Sequence, residues 1–283
     1  MTLLAFLRSH CSQAPSVKAI KRAIDGKYCT VNGQIETFSS HPLHKGDKVS
    51  LDLAGLISQA ISAPSILFED DSLLICNKPM GMVCENKVIN SIWPRFRGKL
   101  CLVHRLDKET TGVLIIGKTD AFVEKMIPLF RAQEVHKRYL ALVDGTVKGK
   151  KGKIENELGK KGAYHGQTIY GSVVSGRGAR AITLWTCLKA TPTASLLLAE
   201  PLTGRTHQLR VHFSQMGHPI LGDSQYGKAF KCPLHPKRYL LHAYSIRFSH
   251  PTDNREIEVV APIPLDFQQA FAQLHMELPS KNT

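Results

Sequence analysis

The sequence predicts an α+β protein: a large unit built on a mixed or antiparallel sheet, preceded by a small α+β unit. Three observations predict this. Apolar strand-like runs follow one another with only occasional helical segments, and not in strict β-α alternation. Helical periodicity and hairpin turn signals are concentrated in residues 1–56. A stretch of small and polar residues, 57–65, then separates that cluster from the rest, 66–283. A chain of 283 residues suits two such unequal domains.

The elements follow in order. Leu3, Leu4 and Leu7 fall on one helical face. Within 16–25, Val17, Ile20 and Ile24 recur at helical spacing, with Ser16 placed to cap the helix and Gly26 to end it. Residues 28–31 are strand-like, Asn32-Gly33 is a tight-turn signal, and 34–38 is the returning strand. Residues 43–53 form another turn and strand around Gly46-Asp47. The second unit opens with short strands at 66–69 and 73–76, joined by Asp70-Asp71-Ser72. An apolar strand covers 113–118, and 121–132 reads as a helix that Pro128 kinks or breaks. The Lys- and Gly-rich stretch 148–161 reads as an exposed loop touching phosphate, with a solvated hairpin as the other open reading. Further strands are expected at 139–143, 181–188, 195–200, 244–248 and 257–260. A helix over 206–216 is closed by Gly217, with Leu209, Phe213 and Met216 facing inward.

Composition narrows the function. Hydrophobic residues make up 43% of the chain, enough to bury a core. The formal net charge of +14 fits a polyanionic partner, nucleic acid first among them. No apolar run reaches the roughly 18 residues of a membrane span, and residues 1–10 read as a helix of the mature protein, not a signal peptide. The seven cysteines are odd in number and form no CxxC pair, so neither a disulfide framework nor a zinc knuckle is indicated. Reduced thiols in a cytoplasm are expected.

The sharpest segment is His104-Arg105-Leu106-Asp107-Lys108-Glu109-Thr110-Thr111-Gly112, just before the apolar strand. An Asp there is well placed to point into a cleft, although such an Asp taken alone is more often a turn or cap residue. The segment resembles the HRLD-x-x-TSG motif of the RluA family of pseudouridine synthases, with Thr111 where Ser is usual. Residues 203–212, TGRTHQLRVH, resemble a second motif of that family, which continues through 217–223 to Tyr226-Gly227. The stretch from Lys137 to Gly145 resembles its K-x-Y-x-A-x-V-x-G strand. Lys78-Pro79-Met80-Gly81 and Leu241-His242-Ala243 are weaker matches, and Cys84-Glu85 stands where His-Pro is usual. The N-terminal pattern, with IKRAIDGKYCTVNG and KGDKVSL, resembles the S4-like RNA-binding module.

The resemblance implies isomerisation of uridine to pseudouridine in RNA, without cofactor or metal. The N1–C1′ bond breaks, the base turns over, and C5 joins C1′. One carboxylate near C1′, C2′ or C6 is needed, to attack the sugar, attack the base, or take the C2′ proton. Asp107 is the residue for it. It must be ionised in a partly dry pocket, which a guanidinium offsets, and Arg205 is the candidate. Tyr139 is expected to face the uracil, and Leu241 to wall the pocket. Arg105 is implied in filling the place of the displaced base, a plain phosphate contact being the other reading. His104 is expected in an RNA-contacting or structural role. Lys18, Lys21 and Arg22 supply the basic face of the N-terminal module.

RNA is therefore the expected partner, ribosomal RNA of the large subunit ahead of tRNA, because family members with an S4-like module are mostly ribosomal RNA enzymes. A monomer is expected. Two rivals remain: a nucleoside glycosylase, which normally needs a second carboxylate, and a non-catalytic RNA-binding ribosome-assembly factor.

Overall fold

The helical spacing at the N-terminus produces α1 (Leu3–His10) and α2 (Val17–Asp25). Their buried Leu3, Leu7, Ile20 and Ile24 share a small core with Cys29 and Val31. Thr2 caps α1 by accepting from the Ala5 amide. Beside them lie the antiparallel strands β1 (Cys29–Val31), β2 (Gln34–Ile35) and β3 (Val49–Leu51), with β1 in the middle. Asn32 and Gly33 both take the left-handed conformation that a two-residue hairpin turn requires. The returning strand ends at Ile35, not at 38. The Glu36 carboxylate accepts from the amides of Thr37 and Phe38, each at 2.7 Å, and turns the chain off the ladder.

The computed structural model describes residues 1–11, 16–26, 28–52, 64–164, 167–227 and 229–277. The chain divides into two compact units, Met1–Ser62 and Ala63–Thr283. Most of the linker expected at 57–65 lies outside the described residues, and Ser65 already belongs to the first strand of the second unit.

That unit carries β4 (Ser65–Glu69), β5 (Leu73–Lys78), α3 (Asn86–Ile92), β6 (Cys101–Leu102), β7 (Thr111–Gly117), α4 (Asp120–Arg131) and β8 (His136–Asp144). It continues with β9 (Lys151–Tyr164), β10 (Gln167–Ser172), β11 (Ala179–Ala190), β12 (Ala194–Pro201), α5 (Gln208–Gln215), β13 (Leu241–Ser249), β14 (Glu256–Val260) and α6 (Leu265–Gln273). One sheet joins all the strands, in the order β10-β9-β11-β12-β8-β13-β7-β5-β4, with β14 added to β13 and β6 to β7. Among the described residues only β13 and β7 pair in parallel, so the sheet is mixed and the α+β class is as expected. No helix among the described residues is long and apolar enough to cross a membrane.

Strand β7 and the second half of β8 are buried and largely apolar because both faces of the sheet are covered there. Successive residues of β8 alternate between two cores: Leu140 and Leu142 meet α6, while Ala141 and Val143 meet α5. Strand β7 alternates likewise, Val113 and Ile115 toward α4, Leu114 and Ile116 toward α3. Helices α3 and α6 carry no strong sequence signal and were not anticipated. Pro128 sits inside α4 without breaking it, since Phe122 and Met126 anchor the helix on its buried side. The basic stretch 148–161 is not a loop. Most of it is strand β9, hydrogen-bonded to β10 on one side and β11 on the other, with Lys151 and Lys153 facing solvent. This is the solvated hairpin.

The parallel pair is a close crossing. Ala243 lies opposite Gly112, whose φ is +108°, and a Cβ on Gly112 would stand 2.1 Å from the Ala243 carbonyl oxygen. Only glycine fits. Gly112→Ala should lower the unfolding free energy by about 3 kcal/mol, from backbone strain plus the clash. Urea denaturation measures it, and a loss under about 1 kcal/mol would mean the two strands can part.

Candidate active site

Asp107 lies in the loop between β6 and β7, its side chain about 30% exposed. The loop is tied down from beneath. Leu106 is buried in the core under α3, and its amide donates to Cys84 Sγ at 3.4 Å. Cys84, the departure from the family pattern, thus supports the loop from its own buried site. The Lys108 carbonyl accepts from Lys78 Nζ at 3.1 Å and from the Gly81 amide at 2.8 Å. The Glu109 carbonyl accepts from Arg238 Nη1 at 3.0 Å. Lys78 and Arg238 are both sealed from solvent. Burial pulls the Lys78 ammonium down to about 8. Arg238 is held by a two-pronged ion pair with Asp266, at 2.6 and 3.0 Å. The same guanidinium also reaches the Leu241 carbonyl and the Thr111 hydroxyl, joining the starts of β7 and β13.

The cation beside Asp107 is Arg210, whose Nη1 is 3.7 Å from Oδ2. Arg205, the expected partner, forms no ion pair with Asp107 among the described residues. It sits in the exposed turn before α5, where its amide donates to Gln208 Oε1 and its Nε to the Arg180 carbonyl at 2.9 Å. Arg210 instead lies in the first turn of α5, which points it inward. A buried cation near a helix N-terminus is unfavourable on two counts, burial and the helix dipole. Asp223 offsets both, accepting from Nε at 2.7 Å and Nη2 at 2.9 Å. The Tyr226 and Tyr239 rings flank the guanidinium, 4.9 and 4.3 Å from its central carbon. These contacts keep Arg210 protonated and leave Nη1 directed at Asp107.

His207 completes the surround, with Nε2 4.0 Å from Asp107 Oδ2. Tyr226 Oη accepts from the Tyr170 amide, and its own proton suits His207 Nδ1 at 2.8 Å. With the proton so assigned, the Nε2–H of a neutral ring faces Asp107. Burial, followed by the Arg210 charge, lowers the His207 pKa and favours that neutral ring.

Tyr139 on β8 packs at the seam between the core under α3 and the core under α5. Burial, with Asp107 next, pushes its phenol pKa up, and it makes no hydrogen bond to a described residue. Leu241 is buried at the start of β13. Asp107, Tyr139, Leu241, Arg105, Arg205 and Arg210 line one pocket of about 100 Å³, in which Asp107 is the only acid among the described residues. An adjoining cleft of about 1080 Å³ adds His104, Phe130 and Arg131. Arg105 is exposed on the shared rim.

His104 has a structural task. Its Nε2 accepts from the Ile115 amide at 2.9 Å, its ring stacks on Phe130, and burial drives its pKa down to about 3. Lys21 is exposed on α2 in the other unit, while the side chains of Lys18 and Arg22 lie outside the described residues. Sequence reasoning missed Arg210, Lys78 and Arg238. Arg210 had a signal, because it stands in the same motif as Arg205 and is followed by Asp223 within the matched stretch.

One carboxylate, a fixed guanidinium, an aromatic ring and an apolar wall can hold a flat polar ring against a single acid or nucleophile. Among the described residues the small pocket has one acid, Asp107, and not the paired carboxylates of glycoside hydrolysis.

Comparison with known proteins gives the same direction. A family model described as RNA pseudouridylate synthase matches residues 72–215. The chain is 34% identical over 231 residues to ribosomal large subunit pseudouridine synthase D of Zymomonas mobilis, covering 74% of this chain and 72% of that protein. It is 31% identical over 271 residues to ribosomal large subunit pseudouridine synthase C of Vibrio vulnificus, covering 91% and 84%. Among solved structures, human RNA pseudouridylate synthase domain containing 1 matches with a TM-score of 0.65 at 29% identity, covering 77% of this chain and 91% of that one.

The two arginines should separate cleanly in stability. Arg210→Met leaves Asp223 buried without its partner and should cost about 3–5 kcal/mol in urea unfolding, part of it recovered by adding Asp223→Leu. Arg205→Met, at an exposed position, should stay within about 0.5 kcal/mol of the parent. Equal losses at the two positions would contradict the assignment of Arg210 as the buried member.

Proposed function

This chain belongs to the RNA pseudouridylate synthase family, and from that premise we propose that Asp107 is its catalytic carboxylate and large-subunit ribosomal RNA its substrate. The observation that carries the first part is the 3.7 Å approach of Arg210 Nη1 to Asp107 in a pocket with no other acid among the described residues. All three conceivable opening steps, attack on C1′, attack on C6 or removal of the C2′ proton, use one ionised carboxylate. Arg210 sets a positive charge beside it that cannot be titrated away. Its geometry is fixed in advance by Asp223 and the two tyrosines, so little reorganisation accompanies the reaction.

The target base leaves its stack to enter the pocket. Tyr139 offers a face for the uracil and Leu241 an apolar wall. Arg105, at the rim, takes the place of the displaced base, since a planar cation stacks where a base was. Arg205 serves RNA contact at the same rim.

Asp107→Asn preserves shape and removes both nucleophile and base. Isomerisation should fall roughly 10⁴-fold or more with folding and RNA affinity nearly unchanged. Tritium release from [5-³H]uridine-labelled RNA measures it, and turnover within about tenfold of the parent would sink the assignment.

The substrate proposal draws on two supports. The two bacterial relatives named above are ribosomal large subunit pseudouridine synthases. The first unit, with its basic α2, is read as an S4-like RNA-binding module that raises the effective concentration of the catalytic unit on a large RNA. The enzyme would act as a cytoplasmic monomer. Removing residues 1–62 should leave a folded catalytic unit whose binding is weaker and less salt-dependent, with a large drop on ribosomal RNA. Mapping of pseudouridine in cells with and without the protein identifies the site. Efficient modification of tRNA with ribosomal RNA untouched would replace this substrate by tRNA.

A further inference from the structure

Lys137 lines both the small pocket and the wide cleft, so it stands where one opens into the other. It lies on β8 two residues before Tyr139, and the strand period sends both side chains to the same face. Among the described residues its amine has no hydrogen bond and no ion pair; the Phe130 ring, 6.0 Å away, is its recorded neighbour. A partly desolvated ammonium without an anion is unfavourable in the free protein. Burial pulls it down to about 8. The side chain is thus prepared for a negative charge that arrives with the ligand.

The position identifies that charge. Leu241, Gln208 and Arg210 line only the small pocket, whereas Lys137, Arg105 and Arg205 are shared with the cleft. A nucleotide whose base enters the small pocket must draw its backbone across this shared mouth. We propose that Lys137 binds an RNA phosphate flanking the target uridine, forming a phosphate subsite at the mouth of the pocket. The proposal rests on the reading of the small pocket as the uridine site.

The surrounding groups define how such a subsite responds to pH. Facing the mouth are His104, Arg105, Asp107 and Lys108 from the loop before β7, and Arg131 from the end of α4. Arg205 and His207 face it from the segment before α5, Glu85 and Cys84 from the start of α3, and Tyr139 from β8 itself. The arginines stay charged. Burial keeps His104 neutral and the Tyr139 and Cys84 protons in place. Lys78 titrates near Lys137, but its amine is sealed beneath the loop on the carbonyls of Pro79 and Lys108. The Lys137 amine is charged below about 8 and neutral above it. Phosphate affinity should therefore be present at pH 7 and fade toward pH 9.

The probe is a synthetic RNA stem-loop built around the uridine that mapping identifies, made also with a neutral methylphosphonate on either side of that uridine. Steady-state kinetics from pH 7 to 9 compare the parent with Lys137→Arg and Lys137→Met. The parent KM should rise about tenfold across this range, the worth of one charge-assisted contact. Lys137→Arg should keep KM low and flat, while Lys137→Met should start about tenfold high at pH 7, the loss falling on KM more than on kcat. One of the two methylphosphonates should raise the parent KM and add little to Lys137→Met. An unchanged pH-dependence in Lys137→Arg would overturn the proposal, since Lys78 remains in that variant. So would full additivity of Lys137→Met with both methylphosphonates, or a parent KM indifferent to both, a result that needs no variant to fold. A parent enzyme that forms no pseudouridine in the stem-loop would overturn the uridine-site reading itself, and the subsite with it.

Discussion

Two buried cations hold the backbone of the loop that presents Asp107. Lys78 grips the Lys108 carbonyl and Arg238 the Glu109 carbonyl, one from β5 and one from the segment before β13. A loop of this kind is otherwise soft, because its carbonyls face water and its conformation is fixed by few contacts. Here the acceptors are satisfied by charged donors in a dry setting, where hydrogen bonds are strongest and a broken one most unfavourable. The carboxylate therefore stands on a rigid base, although it belongs to no helix or strand. The Arg238 guanidinium extends the same constraint to Thr111 and Leu241, so the loop, β7 and β13 are located together.

That junction also explains where the pocket lies. The middle of the sheet is covered on both faces, and covered strands leave no room for a cleft except where helices part. Tyr139 occupies such a seam, between the core under α3 and the core under α5. The parallel pairing of β7 with β13 brings their starts to one end of the sheet, and the close crossing at Gly112 and Ala243 is what lets them meet. Asp107 and Leu241, far apart in sequence, thereby line the same small pocket. The helix α5 then delivers Arg210 from the other side, already paired with Asp223.

The difference between Arg205 and Arg210 shows the reach of motif reasoning. Both stand in one motif, and a guanidinium near the carboxylate was required on chemical grounds. Which arginine it is depends on where the helix begins. Gln208 caps the preceding turn by accepting from the Arg205 amide, which turns Arg205 outward and starts the helix late enough for Arg210 to point inward. His104 is a similar case. Its sequence left RNA contact and a structural role both open, and its ring nitrogen is engaged by the β7 backbone.

By itself the sequence determined the α+β class, the apolar strands, most of the helix and turn positions, and Asp107 with Tyr139 and Leu241 as companions. These rest on local signals: periodicity, turn chemistry and separate motifs, each of whose residues are close in the chain. The tertiary structure decided the rest. Strand β9 is basic in composition, and only pairing on both sides makes it a strand. The return strand at Gln34 is cut short by a carboxylate that bonds its own backbone. Sequence reasoning assigned Lys78, Arg238 and Arg210 no role, because the task of a buried charge shows only when its partner is known. Their partners lie 30, 28 and 13 residues away, at Lys108, Asp266 and Asp223, and only the folded sheet brings them together in a dry interior.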